Sequence, residues 1–342
     1  MDLSAEEAVR AAVADAPVVV PVGSGTHAGV GGPAPTGTPV TAPAGIVTYD
    51  PAELTVTAYA GTTVADLNAV LGAHGQECVL DPRDPRATLG GLLAVGLSGH
   101  RRLRYGPLRD RLLEVRFVTG DARLVRGGGP TVKNVTGFDL PRLLVGSFGT
   151  LGVLTRVILR CQPTPRAVTW WWTADDPAGV RSRVVAPSSI GWRGGDGTWV
   201  LLEGDPDDVA AQARGAGLES SRAPAWPDAP HRGRIAVTPG RVRDVAEALT
   251  DLDGVTWLAE WGVGTVHVAA DSEAGLREAR AAAAASEGWL LREAGAPGLD
   301  GFGVPLANAA VAARLKAAFD PAGKLAPGRL PVPHRARQRD AS

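Results

Sequence analysis

Residues 132–155 read VKNVTGFDLPRLLVGSFGTLGVLT, and the placement of glycine in this stretch decides how the chain is read. Gly146, Gly149 and Gly152 interrupt an apolar run without replacing it. Glycine permits positive φ and lets a backbone approach another group closely. Comparable clusters occupy residues 23–32, 90–99, 127–129 and 137–152, drawn from 44 glycines in all, with apolar runs between them. No collagen-like period or low-complexity tract accounts for them. Several glycine loops in one half of the chain are therefore expected to approach a single object. Taken one at a time, each cluster also reads as a loose turn.

The 342 residues suit about two domains. With 44% hydrophobic residues a core is available, and 35 basic against 36 acidic residues leave a formal net charge of -1. That balance gives neither a basic footprint for nucleic acid nor a polybasic membrane patch. Cys78 and Cys161 cannot build a disulfide framework or a metal knuckle, and are expected to be reduced. The start MDLSAEEAVRAA reads as an acidic amphipathic helix rather than a signal peptide, and no apolar run is long enough to span a bilayer. A cytoplasmic protein, at most peripheral to a membrane through a partner, is the expectation.

Periodicity and turn chemistry place the elements. Ser4 and Glu7 open a helix over 5–14, and residues 16–22 form a strand ending in Gly23-Ser24-Gly25-Thr26-His27. Strands are expected over 46–51 and 54–60, and Thr63 caps a helix over 64–74. Thr88 opens a second helix ending near Gly96. Strands follow at 112–119, 122–125 and 150–160, with a helix at 138–145. Cys161-Gln162-Pro163-Thr164-Pro165-Arg166 reads as a domain boundary. Beyond it, strands at 198–203, 235–238, 255–261, 265–269 and 289–292 alternate with helices at 206–215, 241–252 and 273–286. This pattern predicts a ferredoxin-like antiparallel sheet with helices on one face. The divisions expected are 1–162, 163–298, a returning segment 299–334 and a disordered tail 335–342. Trp170-Trp171-Trp172 alternates faces on a strand, which predicts at least one ring exposed or at an interface, such as a partner surface. Glu203-Gly204-Asp205-Pro206-Asp207-Asp208 mimics a calcium loop, but its acids cap a helix.

Three clusters could carry chemistry. Pro21-Val22-Gly23-Ser24-Gly25-Thr26-His27 breaks a strand into consecutive exposed N–H groups, a concavity suited to phosphate oxygens. It lacks the spacing of a Rossmann fingerprint and the lysine of a Walker loop. Ala87-Thr88-Leu89-Gly90-Gly91 could admit a phosphate at a helix start, or be a glycine-packed helix on a sheet. The third cluster is the opening stretch, with Lys133-Asn134, Gly137, Asp139 and Gly149-Thr150-Leu151-Gly152.

In this order, and with Asp50-Pro51, Gly106 to Asp110 and the terminal Phe319-Asp320-Pro321-Ala322-Gly323-Lys324-Leu325-Ala326-Pro327-Gly328-Arg329, the chain resembles the PCMH-type FAD-binding flavoproteins of the vanillyl-alcohol oxidase superfamily. Leu97-Ser98-Gly99-His100-Arg101-Arg102 and the short chain are most similar to FAD-binding subunits of glycolate oxidases. The resemblance covers residues 16–162 and returns at 315–330. It implies an α+β protein, with a two-subdomain FAD-binding PCMH-type domain followed by the ferredoxin-like α+β domain with its antiparallel sheet.

The resemblance also implies FAD between the two subdomains, held mainly by backbone amides. Val22, Gly23, Ser24, Gly25, Thr26 and His27, with Thr88, Leu89, Gly90 and Gly91, would hold the diphosphate. Ser98, Gly99, Tyr105 and Gly106 would lie towards the flavin ring, Gly152 and Val153 near the adenine, and Gly96 would be a further cofactor-binding residue. Asp110 would order its loop. Lys133 is the candidate cation for the reduced flavin, or a surface charge. Thr26 stands where some relatives carry a tethering histidine, so FAD is expected to be non-covalent, with His27 and His100 as outside candidates for a tether. The histidine-rich metal cluster of related D-lactate and glycolate dehydrogenases is missing, with only His231 and His267 in the second domain. No metal is expected, and no residue is assigned as catalytic base.

The implied activity is oxidation of a small 2-hydroxy acid, glycolate or D-lactate, to the 2-oxo acid. Electrons would pass from flavin to a partner, with companion flavoprotein and iron–sulfur subunits. The alternatives are an electron-transfer or structural flavoprotein subunit without its own substrate site, and a nucleotide-sugar-binding relative on the same fold.

Overall fold

The computed structural model describes residues 4–33, 35–130 and 138–331. Lys133 and the motif at 132–137 lie outside the described residues, as does the tail at 335–342.

The N-terminal part builds two main sheets and one further pair of two-residue strands. α1 (Ser4–Asp15) leads into β1 (Val19–Pro21), which pairs in parallel with β2 (Thr38–Val40). Then come β3 (Ile46–Asp50), β4 (Thr55–Tyr59), α2 (Val64–Gly72), β5 (Gln76–Glu77), α3 (Leu89–Val95) and α4 (Arg102–Tyr105). β6 (Leu112–Val118), β7 (Leu124–Gly128), α5 (Leu140–Leu144), β8 (Val153–Arg160) and β9 (Gln162–Pro163) complete it. The larger sheet is antiparallel, in the order β3-β4-β8-β6-β7.

Local chemistry explains the two helices over that sheet. Thr63 accepts a hydrogen bond from Asp66 N, and Thr88 accepts one from Gly91 N, each satisfying an N–H left free at a helix start. Gly96 ends α3 at φ 74°, a left-handed cap that glycine adopts without strain. Leu67, Leu71, Leu89, Leu92 and Leu93 are buried in one cluster with Phe117 and Val157 of the sheet.

The second domain holds more than the expected single ferredoxin-like unit. β10 (Ala167–Thr173), α6 (Pro177–Arg183), β11 (Ser189–Arg193), β12 (Gly197–Gly204), α7 (Pro206–Gly215) and β13 (Glu219–Ser220) form one βαββαβ unit. β14 (His231–Ala236), α8 (Val242–Thr250), β15 (Val255–Glu260), β16 (Thr265–Ala270), α9 (Glu273–Ala285) and β17 (Trp289–Ala294) form another. They share one eight-stranded sheet in the order β13-β10-β12-β11-β15-β16-β14-β17. Each half has the ferredoxin-like order, and the two meet edge to edge where β11 pairs antiparallel with β15. Each keeps its own core, one around Ile190, Val200 and Leu202, the other around Ile235, Leu249, Val266 and Leu290.

The tryptophan triplet on β10 has partners within the chain, and all three residues are half-buried. Trp170 meets His100 edge to face at 5.2 Å, Trp171 packs on the first core, and Trp172 Nε1 donates to Asp196 O at 2.9 Å. The acids at 205–208 act as the helix start requires, with Asp205 accepting from Asp207 N. Cys78 and Cys161 are both free and buried. Among the described residues, no helix is long and apolar enough to cross a membrane.

α10 (Ala309–Phe319) and the residues after it lie against the first domain. Val19 N donates to Lys324 O and Ala326 N to Val19 O, so this segment borders β1. Lys316 Nζ donates to Thr150 O, Leu325 O and Asp320 Oδ2 at 2.8, 2.8 and 2.6 Å. Asp320 Oδ2 also accepts from Leu325 N at 2.8 Å. Removing one member of a buried pair strands the other charge, at a cost of about 3–5 kcal/mol. Asp320→Ala is therefore expected to lower the stability of the purified protein by about that amount in a urea titration; a loss under about 1 kcal/mol would show that Lys316 finds another partner.

Candidate functional site

β1 ends where glycine takes over, and the chain from Val22 to Ala28 bends along a cavity of about 970 Å³ that is partly open to solvent. β1 and β2 supply one wall, with Val20, Pro21 and Val40. The larger sheet and α3 supply the other, with Ala60, Gly61, Thr88, Gly90, Gly91, Ala94 and Leu154. The cavity thus lies between the two sheets of the first domain. Phe148, Gly149, Gly152 and Val153 close a third side, and Ala326 and Arg329 reach it from the C-terminal segment.

The loop has an unmet electrostatic demand. Val22 N donates to Val40 O and Ala28 N to Gly25 O. Among the described residues, no intramolecular acceptor meets the N–H groups of Gly23, Ser24, Gly25, Thr26 or His27. Successive bare N–H groups along a cavity wall form a concavity for anionic oxygens. Glycine is required here for space: a Cβ on Gly23 would lie 2.2 Å from Thr88 Oγ1, so the loop presses against the cap of α3. Gly25 has φ +82° and nothing within 4 Å of its Cβ position. The cavity therefore fits a dinucleotide diphosphate.

The segment from Thr88 to Gly91 plays a different part from the one expected. Leu89 N donates to Thr62 O, Gly90 N to Ala60 O and Gly91 N to Thr88 Oγ1. Its amides are already engaged, so it lends surface rather than free donors. Leu89 itself points into the core. Gly96 caps α3 beside Gly146, away from the cavity lining. Tyr105 also faces elsewhere: its hydroxyl donates to Glu203 Oε2 of the second domain at 2.6 Å. Gly106 takes φ +77° beside Asp110, whose carboxylate also meets Arg142 at 3.5 Å, so these two order a turn.

Thr26 and His27 also border a second cavity of about 1240 Å³. Ser98 and Gly99 line it, together with Asp81, Arg83 and Asp84 of the first domain and Trp226, Arg232, Arg234 and Glu293 of the second. The two spaces lie on either side of Thr26 and His27, which line both. Behind the wall, Arg83 Nη2 lies 2.7 Å from His267 Nδ1. A guanidinium can only donate, so Nδ1 accepts and the proton of this neutral imidazole sits on Nε2, 3.4 Å from Glu260 Oε1. Arg83 also lies over the Trp226 ring at 4.2 Å, and His100 stacks on that ring at 4.0 Å. His231 is structural: its Nδ1 accepts from Ala296 N at 2.7 Å.

Sequence reading missed this second wall. Arg83 stands in the charge-dense, proline-punctuated run Asp81-Pro82-Arg83-Asp84-Pro85-Arg86, and Arg234 and Glu293 are charged positions inside short strands. Those were the available signals. Among the described residues, no group of three or more His, Cys, Asp or Glu side chains could hold a metal ion.

Residues 4–128 match the FAD binding domain family. The chain is 43% identical to glycolate oxidase subunit GlcE of Escherichia coli over 47% of either chain. It is 39% identical to a D-lactate dehydrogenase of Archaeoglobus fulgidus over 32% of this chain and 25% of that one. It is 35% identical to glycolate oxidase subunit GlcD of Bacillus subtilis over 35% and 26%. Each match spans less than half of the relative. In three dimensions the chain is similar to alkyldihydroxyacetonephosphate synthase, with a TM-score of 0.66 at 16% identity, covering 94% of this chain and 74% of that one. Residues 4–128 thus carry an FAD-binding domain, and FAD is the cofactor of this chain. The likeness in three dimensions shows the fold.

Two predictions follow from the site's packing and charge. Gly91→Val meets only Thr88 Oγ1, at 3.0 Å, and otherwise projects beside the cavity, whereas Gly90→Val meets Ala60 at 3.1 Å. Gly91→Val is expected to purify folded but without flavin absorbance, and Gly90→Val to lose about 1–3 kcal/mol of stability as well. A yellow Gly91→Val protein would contradict this.

Burial pushes Glu260 up from its ordinary 4.5 to about 7, against the opposing pull of Arg234, Arg102 and Arg83. Its folded-state contribution is fully present below about 4.5 and is lost as pH rises through about 7. His100, lowered by burial from 6.5 to about 4, has the opposite sign: its contribution is present above 6.5 and lost as pH falls. Above about pH 6.5 the Glu260 effect stands alone, so between about pH 6.5 and 8.5 the wild type should lose about 1 kcal/mol relative to Glu260→Gln in denaturant titrations. Parallel pH curves would refute the assignment.

Proposed function

We propose that this chain is the FAD-carrying subunit of an oxidoreductase that acts on a small 2-hydroxy acid of the glycolate or D-lactate type and passes the electrons on to a companion redox protein. The observation that carries the reading is that the diphosphate cradle and an arginine-lined chamber share Thr26 and His27 as lining residues. The printed names of GlcE and GlcD, which are subunits, support a multi-subunit assembly. Companion flavoprotein and iron–sulfur chains and a cytoplasmic location belong to the same proposal.

When bound, FAD supplies the hydride chemistry. The protein's part is to bind and orient. The amides of residues 23–27 would hold the diphosphate, and Ser98 and Gly99 would border the ring. The attachment is proposed to be non-covalent, since Thr26 cannot tether a flavin and its hydroxyl lies 3.0 Å from His27 Nδ1. Arg83 and Arg234 are the cations placed to meet a carboxylate.

A second reading, an electron-transfer subunit whose substrate is oxidised in a companion chain, is favoured by one observation. The chamber's arginines already have acidic neighbours: Arg83 and Arg234 have Glu293, and Arg232 has Asp228. A nucleotide-sugar-binding role has no comparable support. Anaerobic titration separates the first two readings: glycolate or D-lactate should bleach the flavin of the isolated chain in the first. In the second, bleaching should require the companion. Failure to bleach under both conditions would remove the 2-hydroxy acid assignment.

A further inference from the structure

Two of the chamber's three arginines, Arg83 and Arg234, are held badly, and by the same group. Glu293 Oε2 lies 3.5 Å from Arg83 Nη1, and Glu293 Oε1 lies 3.2 Å from Arg234 Nε. Neither Glu293 Oε1 nor Arg234 Nε completes a hydrogen bond, although both atoms are buried. Elsewhere this chain pairs arginine well: Arg101 grips Asp81 with two bonds of 2.9 and 2.7 Å. The Glu293 side chain is only 9% exposed and that of Arg234 only 12%. A buried carboxylate that neutralises two guanidinium groups without satisfying them is a poor ligand for the place it fills, since charge-assisted bonds gain most of their energy from good geometry.

The arginines are otherwise anchored. Arg83 Nη2 is bonded to His267 Nδ1, and Arg234 Nη1 donates to Ser98 O at 3.3 Å. The backbone beside Glu293 is anchored as well, because Gly31 N donates to Arg292 O at 2.7 Å. The element free to move is the Glu293 side chain. We propose that Arg83 and Arg234 form a seat for a small external carboxylate, and that Glu293 is the internal carboxylate that occupies it until displaced. This deepens, and rests on, the reading of the chamber as a 2-hydroxy acid site. Glu293 then sets the chamber's selectivity for anions: it excludes weakly bound ions and yields to a ligand whose carboxylate can face both guanidinium groups.

The test uses FAD-loaded protein and oxalate, a carboxylate with no hydrogen for flavin to remove, titrated by calorimetry. Glu293→Gln keeps the shape and removes the competitor, so oxalate should bind at least about tenfold more tightly than to wild type. The gain should vanish in the double variant with Arg83→Gln. Unchanged affinity in Glu293→Gln, or a gain that survives the loss of Arg83, would overturn the proposal. Glu293→Ala is the second variant should Glu293→Gln fold poorly. If both shed flavin, the rise in melting midpoint with oxalate is read on flavin-free protein, because protein groups alone build the seat. Oxalate binding without bleaching by hydroxy acids would sink the oxidoreductase reading and leave the seat standing. Bleaching without any Glu293 effect would do the reverse.

Discussion

Five successive backbone N–H groups with no internal acceptor among the described residues are the constraint around which this protein is arranged. Gly23, Ser24 and Gly25 are exposed and Thr26 and His27 half-buried, so water can meet these amides when the loop is empty. A ligand with several anionic oxygens can meet them together, because successive N–H groups of one bend converge on the same space. Side chains are absent where the loop is tightest, and Gly23 cannot carry even a Cβ against Thr88. The capping threonine of α3 thereby does two things. It closes its own helix, and it fixes how near the loop can come.

The rest of the architecture holds that loop still. Its leading strand, β1, has only the short β2 as a sheet partner, which alone would be a weak support. The C-terminal segment supplies the remaining neighbour: Val19 is bonded on one side to Lys324 and Ala326, and Lys316 ties the same segment to Thr150 beside the cavity. Arg329 Nη1 donates to Ala28 O at 3.1 Å, just past the bare amides. A segment some 300 residues distant in sequence thus completes the cradle.

What could be read from the sequence was what depends on neighbours in the chain. Thr63, Thr88 and Asp205 were legible as helix caps, and Gly96 as a stop, because capping is decided within four residues. The cradle loop was legible for the same reason. The first βαββαβ unit was not: β11 is the short run Ser189-Ile190-Gly191-Trp192-Arg193, buried at four positions and without alternation, so its period is hidden. The chamber was invisible because its parts lie far apart, with Arg83 and His267 separated by 184 residues. His267 was read as a lone histidine, which is a fair reading of Thr265-Val266-His267; only the tertiary structure supplies Arg83 to hold its tautomer. Amides that look free in a glycine-rich sequence also need the structure: those of Leu89, Gly90 and Gly91 turned out to be engaged, those of residues 23–27 not.

The two cavities differ in how they meet charge, and that difference bears on how the protein works. The cradle offers neutral donors, which cost little when empty because water can reach part of the space. The chamber wall instead concentrates charge at low exposure in the Arg83–Glu293–Arg234 group. Full charges away from water must be compensated at all times, or the fold loses several kcal/mol. An empty arginine seat is therefore not a stable resting state for this chain, and an internal acid is the simplest remedy. Glu293 serves as that acid, and its long contacts of 3.2 and 3.5 Å are what a compensating but replaceable partner should show.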